Sequence, residues 1–348
     1  MNFFRQLVSR ILAITAIIIL AVVAYCAWSA PYFKQLSVLG GVEIQQPKMP
    51  AINCWGDSLT QGVCGDGETY PKALRRIIAH QLTANGYSQS VPVVRNLGIS
   101  GETSLEIACR GGLTMRTQSA IHINQIGRRQ IFRITADGGK AVSILRLGDT
   151  GVNPVKIGSV VGRLDRIDDQ NHYTFTPTHV RYQDTLPKNS KVVTYAAAHY
   201  RSAIPVIFIG QNGGYSNTAD LIRQQKAIIH NQIGAENQYI VVGLHTGTAK
   251  QRAALEKKMQ KTYGNHYINL RKILSKNGTK IAGIKATKED KRMMRAGMVP
   301  ASLLADDHLH FNAKGYRTVA KVIYARMTAL NIIRYPLGAQ PIVKNYYE

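Results

Sequence analysis

The rhythm of apolar and polar positions changes four times along the chain. An apolar run from Ile11 to Trp28 is relieved by nothing more polar than Thr15, Tyr25 and Cys26, and it approaches the about 20 residues that span a bilayer. Residues 31–49 have little periodicity and include Pro31, Gly40, Gly41 and Pro47, the composition of a tether. Strands and helices then alternate. A strand is expected through Pro50–Trp55, helical spacing joins Ala73, Leu74, Ile77, Ile78 and Leu82, a strand follows at Val91–Leu97, and Leu105, Ile107 and Ala108 begin a short helix. Between about Leu113 and Ser202 the pattern shifts to short β-type runs at Ile131–Thr135, Ala141–Leu147, Val155–Leu164, His172–Tyr182 and Lys191–Tyr200, separated by Asp-Gly, Gly-Asp and Asn-Pro turn signals. The earlier alternation resumes with a strand at Pro205–Ile209, a helix at Ala219–Asn231, a strand at Tyr239–Leu244, a helix at Lys250–Lys261, a strand at His266–Leu270 and a closing helix at Ala313–Leu330. Alternation of this kind predicts an α/β domain with a parallel sheet between helices. The expected layout is a transmembrane anchor at 1–30, a tether at 31–49, an α/β domain made of 50–112 and 203–335, an inserted β-rich subdomain at 113–202, and a tail at 336–348.

Composition adds a compartment to this layout. A chain of 348 residues with 45% hydrophobic content folds rather than remaining disordered. Its 44 Lys plus Arg against 20 Asp plus Glu give a net charge of +24, a field that favours polyanionic neighbours. Arg5 and Arg10 precede the apolar run, so the positive-inside bias places the N-terminus in the cytoplasm and residues from about 31 onward outside. A cleaved signal peptide is the rival reading and would make the protein secreted. It fits less well, because Trp28 or Tyr25 occupies the position that wants a small side chain. A lipoprotein cysteine fits less well still, since Tyr25 precedes Cys26. An outward-facing domain meets anionic wall polymer or lipid headgroups; it meets little nucleic acid, and no nucleic-acid motif is visible. Residues 221–300 hold 16 Lys plus Arg and 4 Asp plus Glu, hence +12, either as solvated helix faces or as a surface for anionic envelope material. Of the four cysteines, Cys26 belongs to the apolar run and Cys54 to a buried strand. Cys64 and Cys109 are a candidate disulfide in an oxidising compartment, the alternative being three unpaired thiols.

Gly56-Asp57-Ser58-Leu59-Thr60 directly follows the first strand, which puts a serine at the C-terminal sheet edge where clefts form in open α/β folds. Backbone N–H groups and a helix dipole at that turn would favour an oxyanion. Alone, the motif reads equally as an N-cap serine. Near the other end, Asp306-Asp307-His308-Leu309-His310-Phe311-Asn312 supplies an imidazole with a carboxylate three residues before it. A serine nucleophile needs that base, and the base needs the carboxylate to hold its tautomer. Asp307 with His310 is the preferred pair and Asp306 with His308 the second. Asn96-Leu97-Gly98-Ile99-Ser100-Gly101-Glu102-Thr103 also follows a strand, and so does Gly210-Gln211-Asn212-Gly213. They offer a glycine N–H and a carboxamide at the same edge.

These four segments, in this order, resemble the motif blocks of the SGNH (GDSL-like) hydrolase family. The match falls on Ser58, on Gly101 in Ser-Gly-Glu-Thr, on Asn212 in Gly-Gln-Asn-Gly, and on Asp307 with His310. It covers roughly residues 50–110 and 203–330. The resemblance implies a flavodoxin-like three-layer αβα fold, here with a β-rich insertion. It also implies ester hydrolysis through an acyl-enzyme, no metal or organic cofactor, a triad of Ser58, His310 and Asp307, and an oxyanion hole of Ser58, Gly101 and Asn212. One departure is visible: the third block usually reads Gly-x-Asn-Asp, and Gly213 replaces its Asp, which puts the hydrogen bonding around Asn212 in question. Anchor and charge point to an acylated carbohydrate, with O-acetyl or other small acyl groups removed from peptidoglycan or wall polysaccharide. Lipase or thioesterase activity, acyl transfer by the same triad, and non-catalytic wall binding are the alternatives. The insertion is either a carbohydrate-binding accessory or a structural lid. Residues 165–172, rich in Asp, lack Ca²⁺-loop spacing and are expected to form a hairpin turn.

Overall fold

The computed structural model of the protein describes residues 49–84, 91–123, 130–179, 185–232 and 238–333. The expected anchor at 1–30, the tether up to residue 48 and the tail at 336–348 lie outside them. Among the described residues no helix is long and apolar enough to cross a membrane.

The chain opens with β1 (Ile52–Gly56), α1 (Ser58–Gln61), α2 (Tyr70–Ala84), β2 (Val94–Gly98) and α3 (Ser104–Gly111). Every residue of β1 is buried, as a strand covered on both faces must be, and its one polar side chain, Asn53, donates to Tyr200 O at 3.0 Å. Eight short strands follow: β3 (Met115–Thr117), β4 (Ile121–His122), β5 (Phe132–Ala136), β6 (Val155–Ile157), β7 (Val160–Arg166), β8 (His172–Pro177), β9 (Thr185–Leu186) and β10 (Lys191–Val193). The chain then runs through α4 (Tyr195–His199), β11 (Ile204–Phe208), α5 (Thr218–Asn231), β12 (Ile240–Val242), α6 (Ala249–Tyr263), β13 (Tyr267–Ile268), α7 (Leu270–Ala282), α8 (Lys288–Arg295) and α9 (Ala313–Ala329).

Five of the strands form a parallel sheet in the order β13-β12-β11-β1-β2. Counted along the chain this is 2-1-3-4-5, the flavodoxin-like order, whose direction reverses between β1 and β11. A crevice opens at that reversal, beyond the carboxyl ends of the two strands. Gly56 at the end of β1 lies beside Gly98 of β2 and Phe208 of β11. Helices α2, α7 and α9 pack together on one side, and α3, α5 and α6 on the other, giving three αβα layers. Trp55, Leu97, Ile107, Ile207, Ile228 and Val241 are central to the apolar layer on the α3–α5 side.

Between α3 and α4 the chain builds a closed six-stranded barrel, β10-β3-β5-β8-β7-β6, beside the small β4–β9 pair. Inward and outward residues alternate, so Val160, Gly162 and Leu164 of β7 are buried while Val161 and Arg163 are exposed. Closure leaves the barrel without an exposed edge. Ile134, Ile157, Leu164, Tyr173 and Val192 fill its interior.

Two expectations need correction, and two helices carry no signal in the apolar pattern. Ala141–Leu147 is not a strand; it forms one bridge, Ala141 to Thr135, and then turns so that Val142 and Ile144 plug the barrel core, both their carbonyls accepting from Tyr173 Oη at 2.7 and 3.1 Å. The run expected at Lys191–Tyr200 is a strand only to Val193. Thr194 then caps α4 by accepting from Ala197 N at 3.2 Å, and three alanines favour the helix. Finally, α7 and α8 lie in a stretch whose Lys and Arg mask the apolar spacing: Ile273, Leu274 and Ile281 of α7 are buried, and α8 buries only Asp290 and Met293. Residues 167–171 form the β7–β8 turn.

Candidate active site

Ser58 begins α1 immediately beyond β1. Asp57 caps the turn, its Oδ1 accepting from Leu59 N at 3.0 Å, and Gly62 ends it in the left-handed region at φ +99. The dipole expected behind the serine therefore amounts to one turn of helix, and local N–H groups carry any oxyanion stabilisation. Among the described residues, the backbone N–H groups of Ser58 and Gly101 have no hydrogen-bond partner.

His310 Nε2 lies 2.8 Å from Ser58 Oγ, and His310 Nδ1 lies 2.5 Å from Asp307 Oδ2. The loop holds itself in this shape. Asp307 Oδ1 accepts from Leu309 N and His310 N, each at 2.9 Å, and Ala305 N donates to His310 O at 2.8 Å. Asn312 caps α9 through Gly315 N while its Nδ2 donates to the carbonyls of Ser302 and Leu304 at 3.1 and 2.9 Å. The carboxylate is poised to remain ionised: desolvation pushes Asp307 up, but the hydrogen bonds from the His310 ring and from the two backbone N–H groups outweigh it and bring Asp307 down to about 2. The alternative pair is not brought together. Asp306 and His308 are both exposed, and neither bonds to Ser58.

Gly101 sits at φ +79, a left-handed conformation that calls for glycine, and its open face meets only the tip of the exposed Leu147 side chain. Asn212 Nδ2 donates to the carbonyl of Glu102 at 3.0 Å, which uses one of its two amide hydrogens and leaves the other to a substrate oxygen. Gly213 raised a question about this neighbourhood, and the structure answers it. Its carbonyl accepts from both Ser104 N at 3.0 Å and Ser104 Oγ at 2.8 Å, and its φ of +71 suits glycine.

Sequence reasoning missed the group beneath this loop. Arg110 is fully buried and grips Glu102 through Nε (3.0 and 2.8 Å) and a terminal nitrogen (2.6 Å), while also donating to Leu97 O and Thr150 O. It missed His245 too. Its Nε2 donates to Leu309 O at 2.8 Å, and burial brings the ring down to about 4, so it is neutral and steadies the loop without charge. The eight-residue Glu102–Arg110 spacing and an isolated histidine carry no signal until burial is known.

Beside His308 lies a cavity of about 190 Å³ lined by Met293, Met298, Val299 and Leu304 among others. The proposed Cys64–Cys109 disulfide does not exist. Cys109 faces the barrel-side core from α3, 1% exposed, whereas Cys64 is an exposed thiol after α1, 4.0 Å from Asp307 Oδ2. Cys54 is likewise unpaired and buried in β1.

No curated protein matches the chain. Among solved structures, a carbohydrate esterase family 3 from Talaromyces cellulolyticus aligns at 14% identity over 83% of this chain and 100% of its own, with a TM-score of 0.36. A peptidoglycan O-acetylesterase aligns at 12% identity over 87% and 97%, with a TM-score of 0.34. The model of the GDSL-like lipase/acylhydrolase family matches residues 52–323, from the first residue of β1 to within α9, and the chain is therefore a member of that family, an SGNH-type ester hydrolase.

Proposed function

We propose that the protein is a membrane-anchored serine esterase that removes O-acetyl or similarly small acyl groups from cell-envelope polysaccharide or peptidoglycan on the outer side of the membrane. The observation that carries the chemistry is the continuous hydrogen-bonded path from Ser58 Oγ through His310 to Asp307. His310 Nε2 takes the Ser58 proton as Oγ attacks the ester carbonyl, and Asp307 holds the ring and stabilises the imidazolium. Three donors converge on the developing oxyanion: the N–H groups of Ser58 and Gly101 and the second Nδ2 hydrogen of Asn212. The imidazolium then protonates the departing sugar oxygen. Water, activated by the same ring, releases the acid from Ser58.

The substrate class rests on different grounds. The net charge of +24, half of it within residues 221–300, favours an anionic polymer as carrier. The apolar run at Ile11–Trp28 supports the anchored, outward placement.

The test is hydrolysis of acetylated glycans beside acetyl and long-chain aryl esters, with fluorophosphonate labelling of the protein. Wild type should label and release acetate, and Ser58→Ala should do neither, with kcat lower by on the order of 10⁶ as in other serine hydrolases. Undiminished turnover by Ser58→Ala sinks the mechanism, and a preference for long chains sinks the substrate class.

A further inference from the structure

Cys64 takes no part in the proton path, yet its position is specific. It stands at φ +63 in the turn after α1, exposed, with Sγ 4.0 Å from Asp307 Oδ2. Ligand atoms of Cys64, Asp307 and His310 all lie within 4.8 Å of one another, and among the described residues no other group of three such side chains is gathered in this way. The three offer one sulfur, one oxygen and one nitrogen, a donor set suited to borderline-soft cations and poorly suited to Mg²⁺ or Ca²⁺.

The distances say what binding would require. Zinc bonds of about 2.3 Å to sulfur and about 2.0–2.2 Å to nitrogen and oxygen, in tetrahedral geometry, set donor atoms roughly 3.3–3.6 Å apart. Sγ and Oδ2 are at 4.0 Å and need to approach by about half an ångström. Oδ2 and Nδ1 are at 2.5 Å and must separate. An ion can enter only by breaking the Asp307–His310 hydrogen bond. Asp66, Asp306 and Asp307 all act electrostatically on the Cys64 thiol, and this concentration of negative charge attracts a cation.

We propose that Cys64, Asp307 and His310 form an inhibitory site for a thiophilic divalent cation, represented by Zn²⁺, whose binding switches the esterase off. The inhibitory consequence rests on reading Ser58, His310 and Asp307 as the catalytic groups; the site itself does not. On binding, metal bonds form to Sγ, to a carboxylate oxygen and to Nδ1. The thiol proton leaves to solvent and the ring proton moves from Nδ1 to Nε2, so the imidazole stays neutral. With Nε2 protonated, His310 can no longer accept the Ser58 proton.

Two measurements test this. Co²⁺ is titrated into Ser58→Ala protein with and without Cys64→Ser, following the thiolate-to-cobalt charge-transfer absorption and its loss on adding Zn²⁺. In parallel, ester hydrolysis by wild type and Cys64→Ser is measured against Zn²⁺ and Mg²⁺, each normalised to its own metal-free rate, with reversal by EDTA. The expected results are a charge-transfer band that requires Cys64, inhibition by Zn²⁺ but not Mg²⁺, and a half-inhibitory Zn²⁺ concentration at least about tenfold higher without the thiol. Equal Zn²⁺ sensitivity of the two proteins, or no cobalt band from Cys64, overturns the proposal. A Cys64-dependent band in a protein that hydrolyses no ester overturns the functional reading and its inhibitory consequence while keeping the metal site.

Discussion

Replacing Asp57 with asparagine should make the protein's stability less dependent on pH, and the size of the effect can be worked out. Asp57 is fully buried; Oδ1 has Leu59 N, but Oδ2 has no hydrogen-bond partner among the described residues. Burial, opposed by the Leu59 N–H and the proximity of His310, raises its carboxyl from 3.8 to about 6. A folded-state value above the unfolded one means that the native state holds the proton more tightly. The associated stability is fully present below about pH 3.8, falls as pH rises toward 6, and is gone above that. The rise from 3.8 to about 6, at about 1.36 kcal/mol for each tenfold change in proton affinity, costs the native state about 3 kcal/mol at neutral pH. Close to half of that, about 1.4 kcal/mol, develops between pH 5 and pH 8. Asparagine keeps the acceptor for Leu59 N and carries no charge at any pH. Urea unfolding of wild type and Asp57→Asn at the two pH values, compared through midpoint and slope, should show the variant gaining about 1.4 kcal/mol on wild type from pH 5 to pH 8. A difference that stays constant across that range would refute the reasoning, because Asp57 would then titrate alike in both states.

Three other substitutions probe the remaining parts of the site. Asn212→Ala removes one donor and should lower kcat by about 10²–10³, with KM for a short ester nearly unchanged in steady-state assays. Asp307→Asn leaves a hydrogen-bonding group of the same shape but supports the wrong tautomer of His310, and by analogy with other triads should cost about 10⁴ in kcat while fluorophosphonate labelling slows in parallel. Arg110→Ala strands the buried Glu102 carboxylate and should destabilise the fold by about 3–5 kcal/mol, seen as a lower urea midpoint; an unchanged midpoint would mean that Glu102 finds water or a new partner.

The sheet was legible because buried parallel strands are mostly apolar: Ile52–Gly56, with Asn53 its one polar side chain, and Ile204–Phe208 stand out, and the turns after them carry Ser58 and Asn212. The helices at 270–295 were not, because Lys and Arg are interleaved with the buried apolar residues, such as Leu274 and Met293, and several buried positions are themselves polar, Arg271 and Asp290 among them. In the site, groups that would touch substrate were visible as motifs, since their chemistry demands particular residue types in loops. The groups that hold them were hidden. Arg110 and Glu102 look like any surface pair until their burial shows that one guanidinium joins the Gly101 loop, the end of β2 and Thr150. The Cys64–Cys109 pairing failed for a related reason: proximity to motifs in sequence says nothing about which face of α3 a thiol occupies.

The hydrogen bond from Thr194 Oγ1 to Arg110 O, 2.7 Å long across 84 positions of sequence, shows where the barrel leaves and rejoins its host. Departure and return share one doorway, so the sheet experiences the whole excursion as a short crossover between β2 and β11. Topologically the barrel is an insertion between β2 and β11, and the register of the strands that carry Ser58 and Asn212 is set by their own pairing. Such a joint lets the far strands of the barrel be lengthened or shortened, while its near segment is tied to the reaction centre, where Arg146 donates to Gly101 O at 3.3 Å and Arg110 to Thr150 O at 3.0 Å.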